Sequence, residues 1–432
     1  MEREIANIDQ QIQEIANDIL QTKPDLYVSD LVDDQGHQYI DLVMEGGGML
    51  GIALLGYIYL LEKLNIRFRG IGGTSAGAIT AILLASCGPA HIVKSKILLE
   101  ELLAKNFYDF IDGDHDVKDF LDSSLRPQHK LKSWKVGFKA LQVLDNIRDD
   151  LGLNPGKNFR DWIEEILKRH NINNLADLQK HLDTPITQLK DKTGKPVRAL
   201  ETYPGIRLAL IAADVTTSTK VEFPEMAELY WQQPESISPA EFVRASMSIP
   251  LFFHPYIVKN IPRSHRVLEI WRKYSPFKPQ SITHIPENIT FMDGGVMSNF
   301  PINIFHQVNN IPQSPTFGVK LGLDGQIAAT DKPLKLLGAL FNSARSTLDY
   351  DFIKQNPDYS HLLTYIDIPK KFNWLDFNMS LDLKKELIIL GAEAAKNFIL
   401  TFDWPKYKDI RSELAKANIA SDKLNESVQE EL

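Results

Sequence analysis

The chain alternates between short, almost unbroken apolar runs and longer stretches in which apolar residues recur every three or four positions. The runs fall at 40–44, 66–72, 207–213, 289–292, 317–321 and 363–368, and are rich in Ile, Val, Leu and Phe. Runs of this length and composition read as strands covered on both faces. Helical spacing marks 50–64, 76–86, 302–309 and 384–402, with a further long helix expected between 321 and 363. Strands alternating with helices predict an α/β protein, a three-layer α/β/α sandwich with a mostly parallel central sheet. From about 89 to 204 the strand runs stop and the period becomes helical, at 92–110, 133–150 and 159–170. This stretch is expected to be a helical insertion, placed to cover a site as a lid. The expected organisation is an N-terminal helix and linker over 1–37, a catalytic domain over 38–402 and a charged tail over 403–432.

Two of the strand-to-helix junctions are built from glycine. Gly73-Thr74-Ser75-Ala76-Gly77 reads G-x-S-x-G where a strand turns into a helix. Small residues on both sides of a serine allow a tight bend that presents its hydroxyl. The helix N-terminus aims free N–H groups at the same place, so Ser75 is a candidate nucleophile. A turn that merely packs closely is the plainer reading of this motif alone. Gly46-Gly47-Gly48-Met49-Leu50-Gly51 follows the first strand. Its backbone amides can converge where negative charge develops, as an oxyanion hole requires. The spacing of Gly46, Gly48 and Gly51 also fits a dinucleotide fingerprint, but no acidic residue ends a second strand some twenty residues on. A third junction, Phe291-Met292-Asp293-Gly294-Gly295 with Asn299 and Pro301 beyond it, puts a carboxylate at the end of an apolar strand.

These three motifs, in this order, resemble those of the patatin-like phospholipases, a family of lipid acyl hydrolases. The resemblance covers roughly 38–402, with gaps, and includes Arg244-Ala245-Ser246-Met247-Ser248-Ile249-Pro250 and Ala213-Asp214-Val215-Thr216-Thr217. It implies a patatin-type fold, Ser75 as nucleophile and Asp293 as base. It also implies an oxyanion hole in the loop of Gly46, Gly47, Gly48, Met49 and Gly51, with Gly73, Gly77, Gly294 and Gly295 supporting the turns. The implied substrate is a phospholipid or other acyl lipid, cleaved as by a phospholipase A, with no metal and no cofactor. The chain departs from the family at Leu50, where the loop usually carries a cation; this bears on the head-group preference. Acyl transfer to another alcohol uses the same residues, and a catalytically silent lipid-binding protein keeps the same fold.

A Ser-Asp-His triad is the rival arrangement, and the order Ser75, Asp293, His361 permits it. His306 also follows Asp293, on an expected helix. Against the triad fold, the glycine loop and Ser75 are only 75 − 46 = 29 residues apart, the length of one βαβ unit. The single cysteine, Cys87, excludes an internal disulfide and reads as packing. Asp112, Asp114 and Asp116 lack the later glutamate of a calcium loop and read as a solvated acidic turn. A net charge of −8 gives no general attraction to nucleic acid or anionic lipid. Two local basic segments with aromatic neighbours, 125–144 and 259–278, are candidates for peripheral membrane contact, with a solvated face as the plainer alternative. The N-terminus lacks an apolar signal region, so the expectation is a cytoplasmic protein without a spanning helix. An activator and the oligomeric state are not readable from the residues.

Overall fold

The computed structural model describes residues 1–113, 151–186, 189–191, 193–194, 205–274, 284–306, 310–322, 343 and 351–430, with side chains as far as 417. The expected helix at 133–150, the basic segment 125–144, the acidic residues 114–116 and most of the expected helix between 321 and 363 lie outside them.

In chain order the strands are β1 (Gln38–Met44), β2 (Ile66–Thr74), β3 (Gly152–Asn154), β4 (Arg207–Asp214), β5 (Thr219–Phe223), β6 (Leu251–Phe253), β7 (Tyr256–Lys259), β8 (Asn288–Asp293), β9 (Thr316–Leu321) and β10 (Leu363–Ile366). The α-helices are α1 (Glu2–Thr22), α2 (Ile52–Lys63), α3 (Ala76–Ser86), α4 (Ser95–Ala104), α5 (Lys157–Arg169), α6 (Leu175–Leu182), α7 (Ala240–Ser246), α8 (His265–Tyr274), α9 (Leu381–Thr401) and α10 (Trp404–Glu430).

The central sheet runs β10-β9-β1-β2-β4-β8-β7, with β5 also paired to β4. The five strands from β10 to β4 are mutually parallel, whereas β5, β7 and β8 join antiparallel. Burial follows this division. The parallel strand β4 is buried along almost its whole length, while β5 and β8 alternate buried and half-exposed positions. This is the mixed α/β architecture, mostly parallel and flanked by helices, that the apolar runs predict. Leu208, Leu210 and Ala212 of β4 face the main core, and Ala209 and Ile211 face a smaller one with Ile304 and Phe305.

On the main face α2 crosses α9 at unusually close range. A Cβ on Gly56 would lie 1.7 Å from the Ile388 carbonyl oxygen, and one on Gly391 would lie 1.8 Å from that of Ala53. Only glycine permits this approach. The first helix packs on the same pair through an isoleucine stripe, Ile5, Ile8, Ile12, Ile15 and Ile19, spaced three or four apart. Glu4–Lys385 and Asp18–Lys396 ion pairs fix it along α9. Trp404, at the start of α10, is fully buried and donates its indole N–H to Asp30.

The stretch 89–204 contributes α4, α5 and α6 among the described residues, together with one short strand that the helical period does not foretell. That strand, β3, pairs with β6 in a separate two-stranded sheet. The 302–306 stretch, expected to open a helix, forms turns instead. Ile302 and Ile304 are buried on either side of exposed Asn303, an alternation that suits extended chain better than helix.

Candidate functional site

Strand β2 delivers Ser75 to the N-terminus of α3. Its backbone has φ 54° and ψ −119°, a conformation that costs a non-glycine residue about 1–3 kcal/mol. The flanking glycines make the bend sterically possible. A Cβ on Gly73 would come within 2.5 Å of the Gly77 carbonyl group, and one on Gly77 within 2.4 Å of the Met44 carbonyl oxygen. The elbow is thus pressed against the end of β1.

Asp293 reaches the same spot by sheet register. The lower half of β4 pairs with β2 as far as Thr74 with Ile211. The next residue, Ala212, pairs with Asp293 of β8, while β5 occupies the opposite edge of β4. Strands β2 and β8 therefore meet end to end along one edge of β4. Gly294 fits this junction because a Cβ there would lie 2.2 Å from the Ile211 oxygen and 2.9 Å from the Thr74 methyl. The Asp293 carboxylate is 2 % exposed and accepts the Gly295 N–H at 2.8 Å. Ser75 is 4 % exposed.

The turn that ends α7 holds both residues. Ser75 N–H donates to Ser246 Oγ at 2.9 Å, and Ser246 Oγ–H donates to the Ile211 carbonyl at 2.5 Å. Asp293 N–H donates to the Ser248 carbonyl at 2.8 Å. Between them, Met247 Sδ accepts the Ser75 hydroxyl at 3.1 Å. Buried Arg244 steadies the turn, donating to Ser248 Oγ, the Pro155 carbonyl and the His254 carbonyl at 2.7–2.8 Å. Ser246, Met247 and Ser248 were visible in the sequence only as part of a recognisable segment, without a role. Asp214, in the other such segment, closes the β4–β5 turn by accepting the Thr216 and Thr217 N–H groups.

The glycine loop lies alongside. A Cβ on Gly46 would stand 3.0 Å from Ser75 Cβ, and one on Gly51 would stand 2.5 Å from Ala76 Cβ. Gly46 N–H donates to the Asn299 carbonyl at 3.1 Å, and Asn299 Nδ2 donates to Glu45 and to the Gly46 carbonyl. Met49 N–H donates to the Trp374 carbonyl at 2.9 Å. That carbonyl sits where a Cβ on Gly48 would be, 2.3 Å away, and Gly48 has φ +55°. Among the described residues, Gly47 and Gly48 are the loop positions whose amides have no backbone acceptor. Trp374 belongs to a stretch without helix or strand between β10 and α9, which lies over the loop.

Other candidate residues have different surroundings. His306 Nδ1 is within 2.6 Å of the Tyr359 hydroxyl, and burial holds its ring below the usual histidine range. His361 is exposed on a short 3-10 helix, Pro357–Leu362. Burial pushes the Cys87 thiol up to about 12. The Asp112 carboxylate accepts the Gly156 and Asn158 N–H groups and so caps α5. Of the basic segment 259–278, Arg263, Arg266 and Arg272 pair with Glu287, Glu228 and Glu269. Among the described residues no helix is long and apolar enough to cross a membrane.

Comparison with known proteins bears on the same stretch of chain. The uncharacterized protein YqhO of Bacillus subtilis is 28 % identical over 370 residues, covering 84 % of this chain and 98 % of YqhO. The crystal structure of VipD from Legionella pneumophila aligns with a TM-score of 0.36 at 15 % identity, covering 86 % of this chain and 70 % of VipD, a likeness too remote to build on. The model of the patatin-like phospholipase family matches residues 42–306, which run from β1 past Asp293. The chain belongs to the patatin-like phospholipase family, whose members are lipid acyl hydrolases.

Proposed function

We propose that the protein is a phospholipase A-type acyl hydrolase working through a Ser75–Asp293 dyad. The observation that carries this reading is the end-to-end meeting of β2 and β8 on β4, which brings a strained serine elbow and a buried carboxylate onto one turn, 246–248.

In this reading Ser75 Oγ attacks the ester carbonyl carbon as its proton passes to the Asp293 carboxylate. The tetrahedral oxyanion accepts the Gly47 and Gly48 amides, an interaction worth roughly 3–4 kcal/mol per donor in comparable hydrolases. Collapse breaks the ester C–O bond, and the leaving alcohol takes the proton back from Asp293. Water then attacks the acyl-enzyme, giving its proton to Asp293. The acyl C–O bond to Ser75 breaks, the fatty acid leaves and Ser75 is reprotonated. Burial of Asp293 favours this role, since desolvation makes a carboxylate a better base near neutral pH. The Trp374 carbonyl on Met49 N–H must give way before that amide joins the other two.

The test is fatty-acid release from mixed phospholipid vesicles by the wild type, Ser75→Ala and Asp293→Asn. Release by the wild type and loss to background in both variants is expected. Release that persists in Ser75→Ala would overturn the assignment. A fluorophosphonate probe that labels the wild type and not Ser75→Ala distinguishes a competent nucleophile from a protein that only binds lipid.

A further inference from the structure

A narrow apolar slot opens beside Ser75, between α3 and the end of α4. Met49, Ile79, Leu102, Phe107, Met247 and Phe377 line it, and among the described residues no charged side chain does. Met247 connects it to the nucleophile, because the sulfur that accepts the Ser75 hydroxyl is also part of the slot wall. Behind the wall runs a continuous arc of phenylalanine rings. Phe107 touches Phe110 at 5.6 Å between centroids, Phe110 touches Phe159 at 5.3 Å, and Phe159 touches Phe253 at 6.2 Å. Phe253 then meets Phe252 at 4.9 Å, and Phe252 stacks on Phe377 at 4.7 Å. The arc thus starts and ends on residues of the slot itself.

A pocket with these walls accepts hydrocarbon and rejects anything that must keep its water. Its volume here is about 40 Å³, far below the roughly 300 Å³ at which pockets hold whole small molecules. Most of the wall is rigid. Ile79 stands on α3, Leu102 on α4, and Phe107 packs edge-on to Phe110 and Trp162. Phe377 differs, being carried on the stretch before α9 that has no helix or strand. It is the wall whose displacement lengthens the slot with the least disturbance to the fold.

We infer that this slot is the acyl-chain subsite and that Phe377 sets the length of chain it takes. The inference rests on the reading of Ser75 as nucleophile and names the residue that selects the substrate. With Phe377 in place, short acyl chains are favoured over long ones. One methylene in an apolar pocket discriminates by about tenfold or more. Phe377→Ala is therefore expected to raise the palmitate-to-butyrate ratio of kcat/KM on p-nitrophenyl esters by at least about tenfold. Ile79→Phe, which adds bulk to another part of the lining, is expected to lower the same ratio. The opposed directions distinguish slot volume from general damage to the fold. Equal changes at every chain length in both variants would overturn the inference. A second readout needs no turnover: binding of fatty acids of graded length to the Ser75→Ala protein, with and without Phe377→Ala. If that binding shifts toward longer chains but no ester is cleaved, the slot stands and the Ser75 reading fails. If Ser75-dependent cleavage is found with an unshifted length profile, the slot fails and the Ser75 reading stands.

Discussion

Replacing Ser246 by alanine tests whether the elbow is held or merely tolerated. Ser246 Oγ bridges the Ser75 N–H, at 2.9 Å, and the Ile211 carbonyl, at 2.5 Å, and the residue has no exposed surface. Alanine removes the oxygen and leaves the Ser75 amide buried without a partner, a loss of about 1–3 kcal/mol. That amide belongs to the residue with φ 54° and ψ −119°, whose strain of about 1–3 kcal/mol persists only while its surroundings enforce it. Without the bridge, relaxing the bend becomes the cheaper outcome, and relaxation takes the hydroxyl away from the place at which the proposed nucleophile would attack. A loss of preorganisation of about 2 kcal/mol corresponds to roughly thirtyfold in rate. Urea unfolding is expected to shift to a lower midpoint, and kcat/KM on a soluble ester to fall by about ten- to a hundredfold with labelling by a fluorophosphonate slowing in parallel. The control is Ser86→Ala on α3, the same chemical change at a buried hydroxyl that has no hydrogen-bond partner among the described residues. Removing a buried hydroxyl without a partner relieves its desolvation penalty, so this variant is expected to be no less stable than the wild type and to leave the rate unchanged. If Ser246→Ala behaves like Ser86→Ala, the bridge does not hold the elbow and the reasoning is wrong.

Two further changes probe the scaffold behind the site. Gly391→Ala drives a methyl to within 1.8 Å of the Ala53 carbonyl and must part α9 from α2. Such overpacking costs about 1–3 kcal/mol, so a lowered Tm is expected and an unchanged one would contradict the contact. Lys384 is buried with no carboxylate partner among the described residues, donating to the Lys105 carbonyl at 2.9 Å and lying over the Phe107 ring at 4.5 Å, and burial lowers its pKa from 10.5 to about 8. Below about 8 it is charged in both states and the burial penalty is felt in full; between about 8 and 10.5 the folded state has released its proton while the unfolded chain keeps it. Over that window this residue makes folding more favourable as pH rises. The difference in unfolding free energy between wild type and Lys384→Met should therefore vary with pH there and be flat below it; a flat difference throughout would refute the assignment.

The two kinds of strand explain what was legible in the sequence. Parallel strands inside the sheet are buried on both faces and announce themselves as apolar runs, which is why β1, β2, β4 and β9 could be read within a residue or two; β10, at the sheet edge, and antiparallel β8 were legible from their apolar content alone. Strands β3, β6 and β7 have only three or four residues, too short to establish any period. After Pro301, two isoleucines with one residue between them fit a helix in a short window, whereas in the structure Ile302 joins the main core and Ile304 the smaller one. For the site, the glycine patterns exposed the elbow and the loop because close backbone approach demands glycine. That β2 and β8 abut depends on register along β4, a long-range property that no local pattern records. The Trp374 carbonyl was likewise invisible, since every residue carries one. Ser246 and Ser248 act through a hydroxyl and a main-chain carbonyl, groups that serine presents in any turn.

The strand order also dictates when this site can exist. Ser75 is made early, yet β1 is flanked by β9, the Met49 amide is met by Trp374, and α2 is clasped by Gly391. Some 374 − 75 = 299 residues separate the serine from the tryptophan. At ~5–20 residues per second, that interval lasts about 15–60 s. Throughout it, β1 lacks one neighbour and the glycine loop lacks its cover. A growing chain attached to its ribosome therefore carries Ser75 for that interval without β9 or the Trp374 contact, and the loop beside the serine is enclosed only once Trp374 has emerged.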